Sequence, residues 1–135
     1  MVCLLVATNH VDTSAQLADY LGAHVGPDDT VVGVNSLQGG DATDAAAVRD
    51  GEDALTVLDA RLGTAVTVET HQFIRGNDPA TDVLAAIDSF DADELVFGIR
   101  KRSPTGKILF GSVAQRLLLE APVPMRAVPL IPRDG

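Results

Sequence analysis

Half of the cationic side chains of this acidic chain fall inside one stretch, Leu95 to Glu120, which reads LVFGIRKRSPTGKILFGSVAQRLLLE. Arg100, Lys101, Arg102, Lys107 and Arg116 lie there, out of ten Lys plus Arg, in a chain whose formal net charge is -9. No acid falls between Glu94 and Glu120. The stretch passes from an apolar run through a loop punctuated by Gly106 and Gly111 into an amphipathic helical pattern. Gly98, near the end of the apolar run, lacks the side chain that would keep a ligand off the backbone. Ser112 is placed to cap the helix, with Gln115 at capping-box spacing. A helix start offers free N–H groups and the positive end of the helix dipole, and beside a cationic loop this is the chemistry of an anion site, most simply phosphate. Taken singly, a serine before a helix is usually only a cap and a basic loop is usually solvated. Their coincidence points to phosphate.

The other candidates carry less. His10, His24 and His71 have no metal-ligand spacing. Asp28 and Asp29 sit in a turn before a strand, the wrong end for catalysis. Asp50, Glu52, Asp53 and Asp59 suit a solvated helix face. There is no Gly-x-Ser-x-Gly elbow, no Walker-type Gly-x4-Gly-Lys-Ser/Thr and no residue set for general acid–base work.

The elements that must position the basic loop follow from hydrophobic patterning. A chain of 135 residues, 46% hydrophobic and without Trp, is one globular domain with a Val, Leu, Ile and Ala core. Val2–Ala7 and Thr30–Val34 are short apolar runs that fit buried strands, and Ala65–Ile74 and Glu94–Ile99 extend the series. Met125–Ile131 is a fifth strand, and Pro124, Pro129 and Pro132 assign it to a sheet edge. The third strand is also placed at or near an edge. Helical patterns cover Ser14–His24, Asp44–Leu62, Asp78 to about Phe90, and Ser112–Glu120. Thr13 with Gln16 forms a capping box for the first, with Ser14 a competing cap. Gly51 marks a candidate break or bend in the second. Asp78 followed by Pro79 is a strong start for the third. Asn35–Thr43 reads as a loop.

Strict alternation of strand and helix implies an open, doubly wound α/β fold, a five-stranded parallel sheet with helices on both faces. Ligands of such sheets bind at the carboxyl ends of the strands. The candidate loops are therefore Thr8–Thr13, Asn35–Thr43 and Arg100–Ser112. The acidic balance argues against bulk binding of nucleic acid. Cys3 is the only cysteine, which excludes an intrachain disulfide. No run approaches the ~18 residues of a membrane span and no signal-peptide pattern is visible, so the expected setting is cytoplasmic.

The same stretch resembles the signature of the universal stress proteins, Gly-x2-Gly-x9-Gly-Ser/Thr after the fourth strand. Gly98, two residues, Lys101, nine residues and then Gly111-Ser112 keep that register, and VAQRLLLEAPVPMRAVP is similar to the end of those proteins. The resemblance is specific over residues 94–130. It implies a Rossmann-like sheet of strand order 3-2-1-4-5 that binds ATP, with or without Mg²⁺, in a regulatory rather than catalytic protein of the stress response. It also implies a homodimer through the C-terminal edge strand. The implied site residues are Ala7, Thr8 and Asn9 after the first strand, Val34 whose backbone meets adenine, and Gly98, Arg100, Lys101, Gly111, Ser112 and Val113 around ribose and phosphates. Two positions depart from the pattern. Lys101 stands where the second glycine belongs, and Asn9 stands where an acid belongs, unless a shifted loop brings Asp12 there. The same fold without a nucleotide, as an interaction module, is the alternative.

Overall fold

Apolar runs of five to eight residues, flanked by turn-forming residues, become the strands, and the longer amphipathic runs become the helices between them. The computed structural model describes residues 1–100 and 111–131. In chain order the elements are β1 (Cys3–Ala7), α1 (Val11–Gly22), β2 (Thr30–Leu37), a 3-10 turn (Gly40–Ala42), α2 (Ala45–Leu62), β3 (Thr67–Ile74), α3 (Pro79–Ser89), β4 (Glu94–Arg100), α4 (Ser112–Glu120) and β5 (Met125–Leu130). The strands pair in parallel in the order β3-β2-β1-β4-β5, with β3 and β5 at the edges as expected.

Alternation along each strand sends side chains to two cores. Leu5, Val34, Leu95 and Phe97 pack with Val83 and Ile87 of α3 and Leu117 of α4. Leu4, Val6, Val31 and Val96 pack with Leu17 and Leu21 of α1 and Leu58 and Leu62 of α2. Each fully buried leucine contributes about 1.5–3 kcal/mol relative to exposure. Strand order reverses direction at β1, between β2 and β4; α1 after β1 and α4 after β4 pack into different cores, and a cleft opens at the carboxyl ends of these strands. Among the described residues no helix is long and apolar enough to cross a membrane.

Several element ends differ from the sequence expectation, each because a distant partner outcompetes a local signal. Helix α1 starts at Val11, not Ser14, because His10 is the cap: its Nδ1 accepts the Asp12 N–H at 3.1 Å. Thr13 and Ser14 are buried inside the helix, where the Ser14 and Thr8 hydroxyls share a hydrogen bond of 2.6 Å. Gln16 closes no capping box with Thr13. Its amide brackets the far end of the chain instead, donating to the Ile131 carbonyl at 3.0 Å and accepting the Ile131 N–H at 2.7 Å.

Strand β2 runs to Leu37 rather than Val34, because Asn35, Ser36 and Leu37 stay in register with Gln72, Phe73 and Ile74. The polar side chain of Asn35 is tolerated in the interior because it is paired. Its Nδ2 donates to the Thr8 carbonyl at 3.0 Å and its Oδ1 accepts from Gln72 at 3.0 Å. Gly51 causes no break in α2, which is continuous from Ala45 to Leu62. A Cβ there would run into the Asn35 side-chain oxygen and lie 2.6 Å from Gln72 Nε2. The glycine lets α2 settle on that amide pair. At α3, Asp78 holds the N-cap position beside Pro79 but makes no side-chain cap bond; Arg116 has claimed its carboxylate.

Candidate functional site

The carboxyl ends of β1, β2 and β4 floor a cleft of about 400 Å³, walled by α3 on one side and the start of α4 on the other. The floor is apolar, with Ala7, Val34, Phe97 and Ile99, and so are the walls, with Val83 from α3 and Val113 and Leu117 from α4. Because β2 and β4 flank β1, the cleft has two chemically different ends. Leu37, Pro79 and Val83 form an apolar end at β2 and α3, with Ser36 among them. Asn9, Thr13, Arg100 and Gly111 form a polar end at the β1 loop, β4 and α4.

Eight of the residues singled out from the sequence line this cleft: Ala7, Thr8, Asn9, Val34, Gly98, Arg100, Gly111 and Val113. Ser112 is exposed and is the first residue of α4, not its cap; Gly111 holds the cap position, and no side chain caps the helix. Among the described residues the first-turn N–H groups thereby have no side-chain cap. Lys101, with Arg102, Gly106 and Lys107, lies outside the described residues.

Arg116 is not part of the cationic set. Its Nη1 donates to Asp78 at 3.0 Å and to Thr81 at 2.6 Å, and its Nε donates to Glu120 at 2.8 Å. Those bonds, to Glu120 first and then Asp78, hold its guanidinium above the ordinary arginine pKa. Arg116 ties the start of α3 to α4 and so sets the spacing of the two cleft walls. Arg100 differs. Its guanidinium approaches the Thr13 hydroxyl at 3.4 Å, and among the described residues it has no acidic partner.

The two glycines singled out have opposite local reasons. A Cβ on Gly98 would lie 2.7 Å from Leu130 Cδ1, so the space its missing side chain leaves is filled by Leu130. Gly111 has φ -66° and ψ 165°, which any residue adopts, and a Cβ there would meet nothing within 4 Å among the described residues. Packing demands the first glycine and not the second. Val34 has a fully buried side chain, and its carbonyl already accepts the Thr8 N–H at 3.0 Å.

A polar triangle beside the apolar end escaped the sequence reading. Asp82, 2% exposed, accepts the Ser36 hydroxyl at 2.6 Å through Oδ2 and the Asn77 amide at 3.0 Å through Oδ1. Asp82 stands in the first turn of α3, where the helix dipole favours a negative charge. Ser36 and Asp82 are 46 residues apart, and no local pattern announces that they meet.

Comparison with known proteins agrees with this fold. Residues 4–129 match the family described as "Universal stress protein family". A universal stress protein of Mycolicibacterium smegmatis is 46% identical over 96 residues, 70% of this chain and 72% of that protein. A universal stress protein structure from Archaeoglobus fulgidus superposes with a TM-score of 0.79 at 29% identity, covering 95% of this chain and 98% of that one. A structure of the universal stress protein from Archaeoglobus fulgidus in complex with dAMP superposes with a TM-score of 0.72 at 25% identity, again covering 95% and 98%. This chain belongs to the universal stress protein family.

Proposed function

We propose that the cleft binds an adenine nucleotide, ATP or a close relative, and that binding is regulatory rather than catalytic. The polarity of the cleft carries this reading. An apolar end suited to a base faces, across about 400 Å³, an end with Arg100, the Thr13 hydroxyl and the start of α4, which no described side chain caps. That volume falls in the usual range of small-molecule sites. The dAMP complex of the Archaeoglobus fulgidus protein supports the ligand class.

In this reading Arg100, the Gly111–Val113 backbone and the Ser112 hydroxyl hold phosphates. Asn9 and Thr8 face the ribose, Gly98 lines its path, and Ala7 and Val34 underlie the base. Lys101 replaces the second glycine of the signature, and in this reading it either pairs with a phosphate or obstructs it. Magnesium would arrive with the phosphates, since among the described residues no three His, Cys, Asp or Glu side chains gather to hold a metal ion. The setting is the cytoplasm in a stress response, and the assembly a homodimer through β5, where the exposed Ile131 favours cover. A solution mass equal to one chain at micromolar concentration would remove the dimer.

Calorimetric titration with ATP and with AMP, each with and without Mg²⁺, tests the ligand. Saturable heat below millimolar concentration is the expected result. Absence of heat at millimolar nucleotide would leave the alternative, an interaction module on the same fold that departs from the nucleotide signature at Asn9 and Lys101. Steady phosphate release from ATP would overturn the regulatory reading.

A further inference from the structure

Ser36 is the polar side chain at the apolar end of the cleft, beside Leu37, Pro79 and Val83. Its one proton is committed. The Oγ–H donates to Asp82 Oδ2 at 2.6 Å, and an ionised carboxylate can only accept. Asp82 cannot turn away, because it is 2% exposed and its other oxygen holds the Asn77 amide at 3.0 Å. Turning would leave a buried carboxylate oxygen without its donor. The remaining capacity of the Ser36 oxygen is therefore that of an acceptor.

Position along β2 matters as well. Val34 and Ser36, two residues apart, point to the same face of the sheet. Val34 is closed off, with no exposed side-chain surface and a carbonyl already accepting the Thr8 N–H at 3.0 Å. Ser36 is only partly buried and lines the cleft. It is the next position outward on that face at which a base edge can be read.

Resting on the adenine-nucleotide reading above, we infer that Ser36, oriented by Asp82, selects a 6-amino purine over a 6-oxo purine. The exocyclic amine of adenine donates to the Ser36 oxygen. The 6-oxo group of hypoxanthine or guanine would set acceptor against acceptor, a repulsive element that discriminates even where the rest of the ligand is unchanged. Asp82 is a positioning residue, since it acts through the serine proton.

The test compares AMP with inosine monophosphate, which share the sugar and phosphate, on the full chain by calorimetry. The unmodified protein should prefer AMP by about tenfold or more, the scale of one buried acceptor paired or unpaired. Ser36→Ala should bring the two affinities within about threefold of each other, and the stability lost with the bond to Asp82 should weaken both ligands alike. Asp82→Asn retains the serine but offers it an amide donor, which frees the hydroxyl proton for the cleft. The preference should then move toward inosine monophosphate, whereas a purely structural role would weaken both ligands equally. Equal affinities in the parent, or an AMP preference that survives Ser36→Ala, would overturn this inference and leave nucleotide binding standing. Failure of the parent to bind either ligand would overturn both.

Discussion

At the β2/α3 end of the cleft the polar groups are paired around two buried side chains: Ser36 and Asn77 with Asp82, and Thr8 and Gln72 with Asn35. At the β4/α4 end, among the described residues, they are held loosely: exposed Arg100 with one long bond to Thr13, Ser112 in solvent, and a helix start with no side-chain cap. Gly98 and Gly111 repeat the contrast on a smaller scale, the first filled against by Leu130 and the second open. A paired, buried end is paid for in folding and keeps its shape without a ligand. An open end of unpaired donors has most to gain when an anion arrives. Substitutions at the first end should therefore register in stability, and those at the second in binding alone.

The largest effect should come from Gly111→Val. Its backbone angles suit any residue and its Cβ would meet nothing within 4 Å among the described residues, so the chemical denaturation midpoint should stay within error of the parent. The valine methyls would stand where a phosphate approaches the helix start, and ATP affinity should fall by about a hundredfold or more. A stability loss with affinity intact would reverse the assignment of the two ends.

Asp82→Ala probes the opposite end. It strands the Ser36 hydroxyl and the Asn77 amide, and the cost to folding should be about 2–3 kcal/mol by urea titration. A change below about 0.5 kcal/mol would mean that the triangle is not part of the folded frame.

The smallest effect lies at the amino ends of β1 and β2, opposite the cleft, and serves as a control remote from both of its ends. The Asp29 carboxylate accepts the Gly26 N–H at 2.8 Å and the Val2 N–H at 3.0 Å. These bonds, Gly26 first, hold its pKa below the ordinary 3.8. A group whose folded pKa is depressed stabilises above its unfolded pKa, and that contribution is lost as pH falls through the folded value. The gap in urea midpoint between the parent and Asp29→Asn should therefore be constant near neutral pH and close as pH drops from about 5 to about 3. Nucleotide affinity should be unchanged by this substitution.

The difference between the two ends also explains what could be seen in the sequence. The β4/α4 end lies within one continuous stretch, so Gly98, Arg100, Gly111 and Ser112 stand out by spacing and charge. The β2/α3 end is assembled from residues far apart in the chain, and Ser36 with Asp82 looked like two unremarkable polar residues. Arg116 illustrates the converse error. In the sequence it counts among the cations of the basic stretch, but Asp78, 38 residues earlier, takes its charge.

By itself the sequence determined the alternation of strands and helices, the edge placement of β3 and β5, the bounds of α4 and the family signature around Gly111. These rest on local physics: hydrophobic period, proline's missing donor and the conformational limits of turns. Tertiary structure alone decided that His10 caps α1, that β2 runs on to Leu37, that Gly51 seats α2 on the Asn35–Gln72 pair, and that Gly98 makes room for Leu130. In each case a polar group or a missing methyl answers to a neighbour brought in by the fold. The free energy of such a pairing exists only once both partners have been desolvated together.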